Sequence, residues 1–219
     1  MDSMIIDMER WDRREIFETF SKISFPFYVV SFNVDIQNLY AFCKQSGAGV
    51  YHTMVWCVSR AVNSVAAFRR RIIDGQVVEF SETYPSFTFL KSGEEAFKVC
   101  TIRLSDSIIE FDRAAKEAQA AQTTMFGHPD LPPERLIYMS CLPWIETTCI
   151  SSERHIDPDD CIPRISWGKF HRNPDGTITQ NITVDANHRL IDGYHIGLFG
   201  KALQDIINTL NPHAANQCR

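Results

Sequence analysis

Residues Asn187-His188-Arg189-Leu190-Ile191-Asp192-Gly193 put an imidazole, a guanidinium, a carboxylate and a glycine into one short connection. An imidazole titrates near neutrality, at about 6.5 when unperturbed, so it can take a proton from a hydroxyl or thiol and give it back. A carboxylate four residues on could orient such a base, as the acid of a triad does. From the residues alone His188 reads either as a catalytic base or as a structural loop histidine.

The flanks explain how the connection would be held. Over 177–186, Ile178, Ile182, Val184 and Ala186 share one parity, and Thr177, Thr179, Asn181, Thr183 and Asp185 share the other. That is the period of a half-buried strand. Over 194–210, Phe199, Ala202, Leu203, Ile206, Ile207 and Leu210 recur at the spacing of one helix face. A loop between two rigid elements is a common place for reactive side chains.

The rest of the chain alternates between the two periods. Helices are predicted over 11–22, 35–46 (Asp35 as N-cap, Gly47 as terminator), 50–67 and 107–122. The third is apolar nearly all round (Val55, Trp56, Val58, Ala61, Val62, Val65), which marks a buried helix. Strands are predicted over 25–34, 86–90, 96–102, 135–141 and 162–171, with a hairpin over 71–80 turning at Asp74-Gly75. Pro129, Pro132 and Pro133 mark a connection, and 147–161 reads as irregular. Helices and strands mix without strict alternation. The expected fold is α/β in the broad α+β sense, a two-layer sandwich of a mixed sheet and packed helices, in a single domain over 1–219.

Composition narrows the function. A net charge of -5 and no long basic run argue against nucleic acid as a partner. Arg69-Arg70-Arg71 reads as a solvated patch or an anion site. Seven cysteines without a Cys-x-x-Cys pair disfavour a disulfide scaffold and a structural zinc, and no metal motif occurs. The acidic start is unlike a signal peptide, and no apolar run reaches membrane-spanning length, so a soluble cytoplasmic protein is expected.

Four ordered segments resemble one known family, the trimeric chloramphenicol acetyltransferases. They are Trp11-Asp12-Arg13-Arg14-Glu15-Ile16-Phe17-Glu18, Pro85-Ser86-Phe87-Thr88-Phe89, Ser140-Cys141-Leu142-Pro143-Trp144, and His188 followed by Asp192-Gly193. The family motif is His-His-x-x-x-Asp-Gly, and Asn187 stands at its first position. Dihydrolipoamide acyltransferase domains share the fold and carry Asp-His-Arg-x-x-Asp-Gly, so Asn187-His188-Arg189 lies between the two patterns.

The resemblance implies a homotrimer with active sites at subunit interfaces, acetyl-CoA as co-substrate, and chloramphenicol as acceptor, hence antibiotic inactivation. Acyl transfer to a hydroxyl needs a base, a donor to the tetrahedral oxyanion, and exclusion of water. The resemblance assigns the base to His188 and the oxyanion donor to Ser140. Ser166 falls at a water-holding hydroxyl, and Phe20, Tyr28, Thr88 and Phe97 fall at or near acceptor contacts. Asp192 becomes the partner of Arg13 rather than a triad acid, Gly193 allows a close approach or a positive φ, and His195 is a packing or capping residue. Asn187 and Arg189 sit beside the chemistry and would bear on acceptor choice. Two alternatives keep the fold: a different small hydroxyl or thiol acceptor such as dihydrolipoamide, and a non-catalytic homologue.

Overall fold

The computed structural model describes residues 2–127, 130–154 and 156–210. Pro129 of the predicted connection and Cys218 lie outside them. In chain order the elements are β1 (Ser3–Ile5), α1 (Arg14–Phe20), β2 (Phe27–Asp35), α2 (Gln37–Ser46), α3 (Val50–Ser64), β3 (Arg70–Ile73), β4 (Gln76–Phe80), β5 (Tyr84–Phe89), β6 (Lys98–Thr101), α4 (Ile108–Ala121), β7 (Leu136–Leu142), β8 (Arg164–Gly168), β9 (His171–Arg172), β10 (Ile178–Asn187) and α5 (Gly193–Thr209).

Seven strands form a mixed sheet in the order β2-β10-β8-β7-β5-β6, with β9 also on β10. The β5–β7 and β7–β8 pairs are parallel and the others antiparallel. A smaller antiparallel sheet, β1-β4-β3, contains the predicted hairpin. Its tip needs two residues in the left-handed region, and Asp74 (φ 50°) and Gly75 (φ 73°) supply them.

The buried core lies between the large sheet and its helices. All six apolar residues that mark α3 as a central helix are buried, together with Thr53 and Ser59 of the same helix. Ser59 directs its hydroxyl back to the Val55 carbonyl at 2.7 Å, so burial leaves no orphan there. Phe87 of β5 and Trp167 of β8 meet Tyr51 of α3, and Phe32 of β2 meets Phe199 of α5. Side chains of this parity face the helices, and those of the other parity face away.

Three expectations shift on inspection. The first helix starts at Arg14 rather than Trp11, and the N-cap of α2 is Ile36. Asp35 still accepts from the Gln37 amide at 2.7 Å, one residue earlier than a cap does. The alternation in β10 predicts one wet face, yet Thr183, Asp185 and Asn187 are buried. The cause is the irregular stretch before β8, which lies over that face. The Ile150 amide donates to Thr183 Oγ1 at 3.2 Å, and Arg154 pairs with Asp185 at 2.6 Å. Periodicity records a strand's own faces, not a loop that returns to cover one.

Candidate active site

His188 follows the last residue of β10. Its amide donates to the Pro26 carbonyl at 2.7 Å, and the Leu190 and Ile191 amides return to the Asn187 carbonyl at 3.1 and 3.0 Å. Leu190 and Ile191 are each 1% exposed, so two core side chains anchor the turn from below. The imidazole is left at the surface of the core, flanked by two aromatic rings. Phe20 of α1 stacks on it at 4.0 Å with 7° between planes, and Tyr28 of β2 lies 4.3 Å away, tilted by 32°. The His188 Nδ1 and the Tyr28 hydroxyl are both buried without a hydrogen-bond partner. Burial pushes the Tyr28 phenol well above its ordinary pKa, and the Asp192 charge adds to the rise, so the hydroxyl is neutral.

Arg13 reaches the same turn. Its Nη1 donates to Asp192 Oδ2, while Asp192 Oδ1 accepts from the Tyr194 and His195 amides at 3.0 and 3.3 Å. Asp192 is thus the N-cap of α5, and His195 completes a capping box by accepting from the Asp192 amide at 3.2 Å. A carboxylate spent on Arg13 and two amides cannot also orient His188, so the triad reading fails on geometry. Partial burial alone would raise the Asp192 pKa, but the Arg13 hydrogen bond and charge outweigh it and the net shift is downward. A depressed carboxylate stabilises the fold fully above the unfolded value of about 3.9 and loses that contribution as pH falls through its folded value. Asp192→Asn is therefore expected to destabilise the protein by about 3 kcal/mol at neutral pH, by stranding the buried Arg13 charge. The gap from wild type should narrow below about pH 4. Urea melts at pH 7 and pH 3.5 check both statements; an equal gap at the two values would refute the linkage.

Asn187 and Arg189 do not face the chemistry. Asn187 Nδ2 donates to the Pro158 and Asp160 carbonyls at 2.8 and 3.2 Å, and Arg189 Nη2 donates to the Pro158 carbonyl and to Asp159 Oδ1. Both are buried, at 1% and 5% exposed. Asn187 was expected to give structural support to the site, and its bonds to this backbone and to Arg189 are of that kind; neither side chain is directed at the imidazole it flanks. Gly193 is corrected. It is exposed, its φ is not in the left-handed region, and a Cβ there would meet open space. The Arg69–Arg71 cluster is neither a solvated patch nor an anion site. Arg69 and Arg70 share Glu79, and Arg71 is 1% exposed and donates to the carbonyls of Phe68, Arg70, Glu134 and Leu136. Burial pushes Arg71 down to about 10, still a cation at neutral pH.

A second group of predicted residues assembles elsewhere. The Thr88 and Ser140 hydroxyls meet at 3.2 Å. Ser140 is the register partner of Ser166 across β7–β8, Ser166 that of Thr183, and Thr183 that of Ser31. Five hydroxyls thus form a row across five strands on the face away from the helices. The row ends in a 2.8 Å contact between Ser31 and Thr183. Sequence reasoning singled out the first three. Thr183 was visible only as one of the polar parity in β10, and Ser31 carried no signal at all. Phe97 lies just before β6, beside the Thr88 end of the row, and is half exposed. Cys141 follows Ser140, but burial pushes its thiol up to about 12, so it is not a nucleophile at neutral pH.

The two groups are separate within one chain. Thr183 is level with Ser166 and Ser140, and His188 is five residues further along. At about 3.3 Å per residue and about 4.8 Å per strand, His188 and Ser140 are on the order of 20 Å apart. A base and an oxyanion donor for one carbonyl must both approach it to about 3 Å. The imidazole and the hydroxyl row are therefore two separate groups within the chain.

The imidazole thus stands at the final strand–helix turn of a helix-backed mixed sheet. The family model described as chloramphenicol acetyltransferase matches residues 1–204, and the chain belongs to that family. Chloramphenicol acetyltransferases of Staphylococcus aureus and Bacillus pumilus are 27% and 25% identical to it, covering 94% and 91% of this chain and 96% and 91% of their own. A solved chloramphenicol acetyltransferase structure matches 94% of this chain and 99% of its own with a TM-score of 0.84 at 24% identity, which supports the fold.

Proposed function

We propose that the protein is an acetyl-CoA-dependent O-acetyltransferase that inactivates chloramphenicol by acetylating a hydroxyl. The observation that carries the reading is the family match across residues 1–204; in this reading the His188 group and the hydroxyl row are two halves of one site. His188, flanked by Phe20 and Tyr28, takes the proton of the acceptor hydroxyl. The hydroxyl oxygen then attacks the thioester carbonyl. Ser140 donates a hydrogen bond from its hydroxyl to the resulting oxyanion and keeps its proton, with Thr88 beside it on one side and Ser166 on the other. When the tetrahedral species collapses, the C–S bond breaks, and the departing CoA thiolate receives the proton from the His188 imidazolium. The aromatic rings beside the imidazole exclude water from that exchange and offer faces to an aromatic acceptor.

The order of 20 Å between His188 and Ser140 is the reason to place the working site between chains. We read the assembly as a homotrimer in which His188 of one subunit faces the hydroxyl row of the next. Apolar side chains exposed on the single chain, including Phe25, Phe97, Trp144 and Ile145, are candidates for cover in that assembly. Six free cysteines among the described residues fit the reducing cytoplasm. No helix among the described residues is long and apolar enough to cross a membrane.

The test is turnover of purified protein with acetyl-CoA and chloramphenicol, followed as free CoA thiol, together with light scattering for assembly mass. Acetylation of chloramphenicol by a species of three chains is expected. Turnover no greater than that of a His188→Ala control would remove the substrate assignment, and a stable monomer would remove the shared site.

A further inference from the structure

We infer that Arg189 is a positioning residue that fixes the angle at which His188 meets its substrate, working through Asn187 and the 157–160 segment. The inference rests on the reading of His188 as the base. Residues 187 and 189 flank the imidazole in the chain, and both turn away from it onto the same backbone carbonyl, that of Pro158. They are also bound to each other: Asn187 Oδ1 accepts from the Arg189 amide at 3.1 Å and from Arg189 Nε at 3.4 Å. Arg189 Nη2 adds Asp159 Oδ1 at 2.6 Å. The backbone on either side of His188 is therefore clamped to one short strap.

The strap has its own anchors. Asp160 pairs with Arg164 of β8 at 2.9 Å, and the Cys161 sulfur accepts from the Ile72 amide of β3 at 3.1 Å. Arg154 ties the stretch upstream to Asp185 of β10 at 2.6 Å and lies over the Phe27 ring at 3.9 Å. A segment without helix or strand is thus fastened at both sides of Pro158, which gives Asn187 and Arg189 a fixed partner to pull against.

Arg189 has a second contact that leads back to the imidazole. Its guanidinium lies 5.5 Å from the Phe17 ring of α1. Phe20, one turn later on α1, is the ring stacked on His188. One side chain thus holds the backbone beneath the imidazole and the helix that presents the ring on top of it. The turn retains other supports, namely the Pro26 carbonyl and the buried Leu190 and Ile191. Loss of Arg189 should therefore leave the fold standing and loosen the imidazole. A displacement of about 1 Å in a reacting group can cost on the order of 100-fold in rate.

The experiment compares wild type, Arg189→Ala, Arg189→Lys, Asp159→Ala and His188→Ala, each checked for assembly mass and melting. Steady-state kinetics are measured by varying each substrate in turn. Arg189→Ala is expected to lower kcat by about 10- to 100-fold with both KM values nearly unchanged. Arg189→Lys should recover part of that loss, because an ammonium keeps the charge for Asp159 without the fork that holds Asn187. Asp159 has a side chain 52% exposed, so Asp159→Ala should fold normally and lower kcat by roughly two- to fivefold. Assembled Arg189→Ala with kcat within twofold of wild type, beside an inactive His188→Ala, overturns the positioning role while the base reading stands. A loss that falls on KM instead overturns it equally. Turnover retained by His188→Ala overturns the base reading itself. Should Arg189→Ala fail to assemble, the Asp159→Ala kinetics decide alone, and an unchanged kcat there rejects the inference.

Discussion

His188→Ala is expected to lower kcat by between about 10² and 10⁴, or about 2.7–5.5 kcal/mol of transition-state stabilisation, with the KM for acetyl-CoA little changed. The acceptor hydroxyl is a poor nucleophile while protonated, and the proposal gives its proton nowhere else to go. The nearest titrating alternatives are unsuited. Tyr28 is held neutral by burial, and His195 accepts from the Asp192 amide in the α5 capping box. Burial also depresses the His195 pKa, against the pull of Asp192, which makes it a poor store for the proton. Fold damage should be small, because the turn is anchored by Leu190, Ile191 and the Arg13–Asp192 pair rather than by the imidazole. Free CoA release at saturating substrates, with the melting temperature as control, decides the matter. A folded His188→Ala protein within tenfold of wild-type kcat would exclude the histidine as base.

The elements around this residue were readable because they are built from local signals. β10 and α5 carry periods of two and 3.6, and the hairpin tip carries Asp74-Gly75, whose positive φ angles the sequence announces. Gly47 ends α2 in the left-handed region for the same reason. What escaped is non-local. Arg71 looked like one of three solvated arginines, because nothing in its neighbours reveals that the distant carbonyls of Glu134 and Leu136 join the local ones of Phe68 and Arg70 around its guanidinium. Asn187 and Arg189 could be read only as neighbours of His188 with a bearing on acceptor choice, because nothing local shows what they bind. The strap that claims them comes from some 30 residues upstream. The Arg13–Asp192 pair spans 179 positions and came only from resemblance to a family. The hydroxyl row is a register property, and register across parallel strands is not written in any one strand.

Ser140→Ala is the second large effect, and it tests the divided site as well as the chemistry. Loss of one oxyanion donor typically costs about 10²–10³ in kcat, or about 2.7–4 kcal/mol, and the change from hydroxyl to methyl leaves β7 intact. The stronger experiment uses two crippled chains together. In a ring of three, each proposed site takes its hydroxyl row from one subunit and its imidazole from the next. His188→Ala chains retain the row, and Ser140→Ala chains retain the imidazole. Where a His188→Ala chain offers its row to a Ser140→Ala neighbour, the site is complete. Random co-assembly of equal amounts places that pairing at about one site in four. Co-expressed or co-refolded variants should therefore regain about a quarter of the wild-type activity per site, while either variant alone stays inactive. If both residues served the same chain, no mixture could restore a site, because each chain would carry one lesion in its own. A mixed trimer confirmed by mass and lacking activity would thus join the two half-sites in a single subunit, against the separation of about 20 Å that the β7–β8–β10 register imposes.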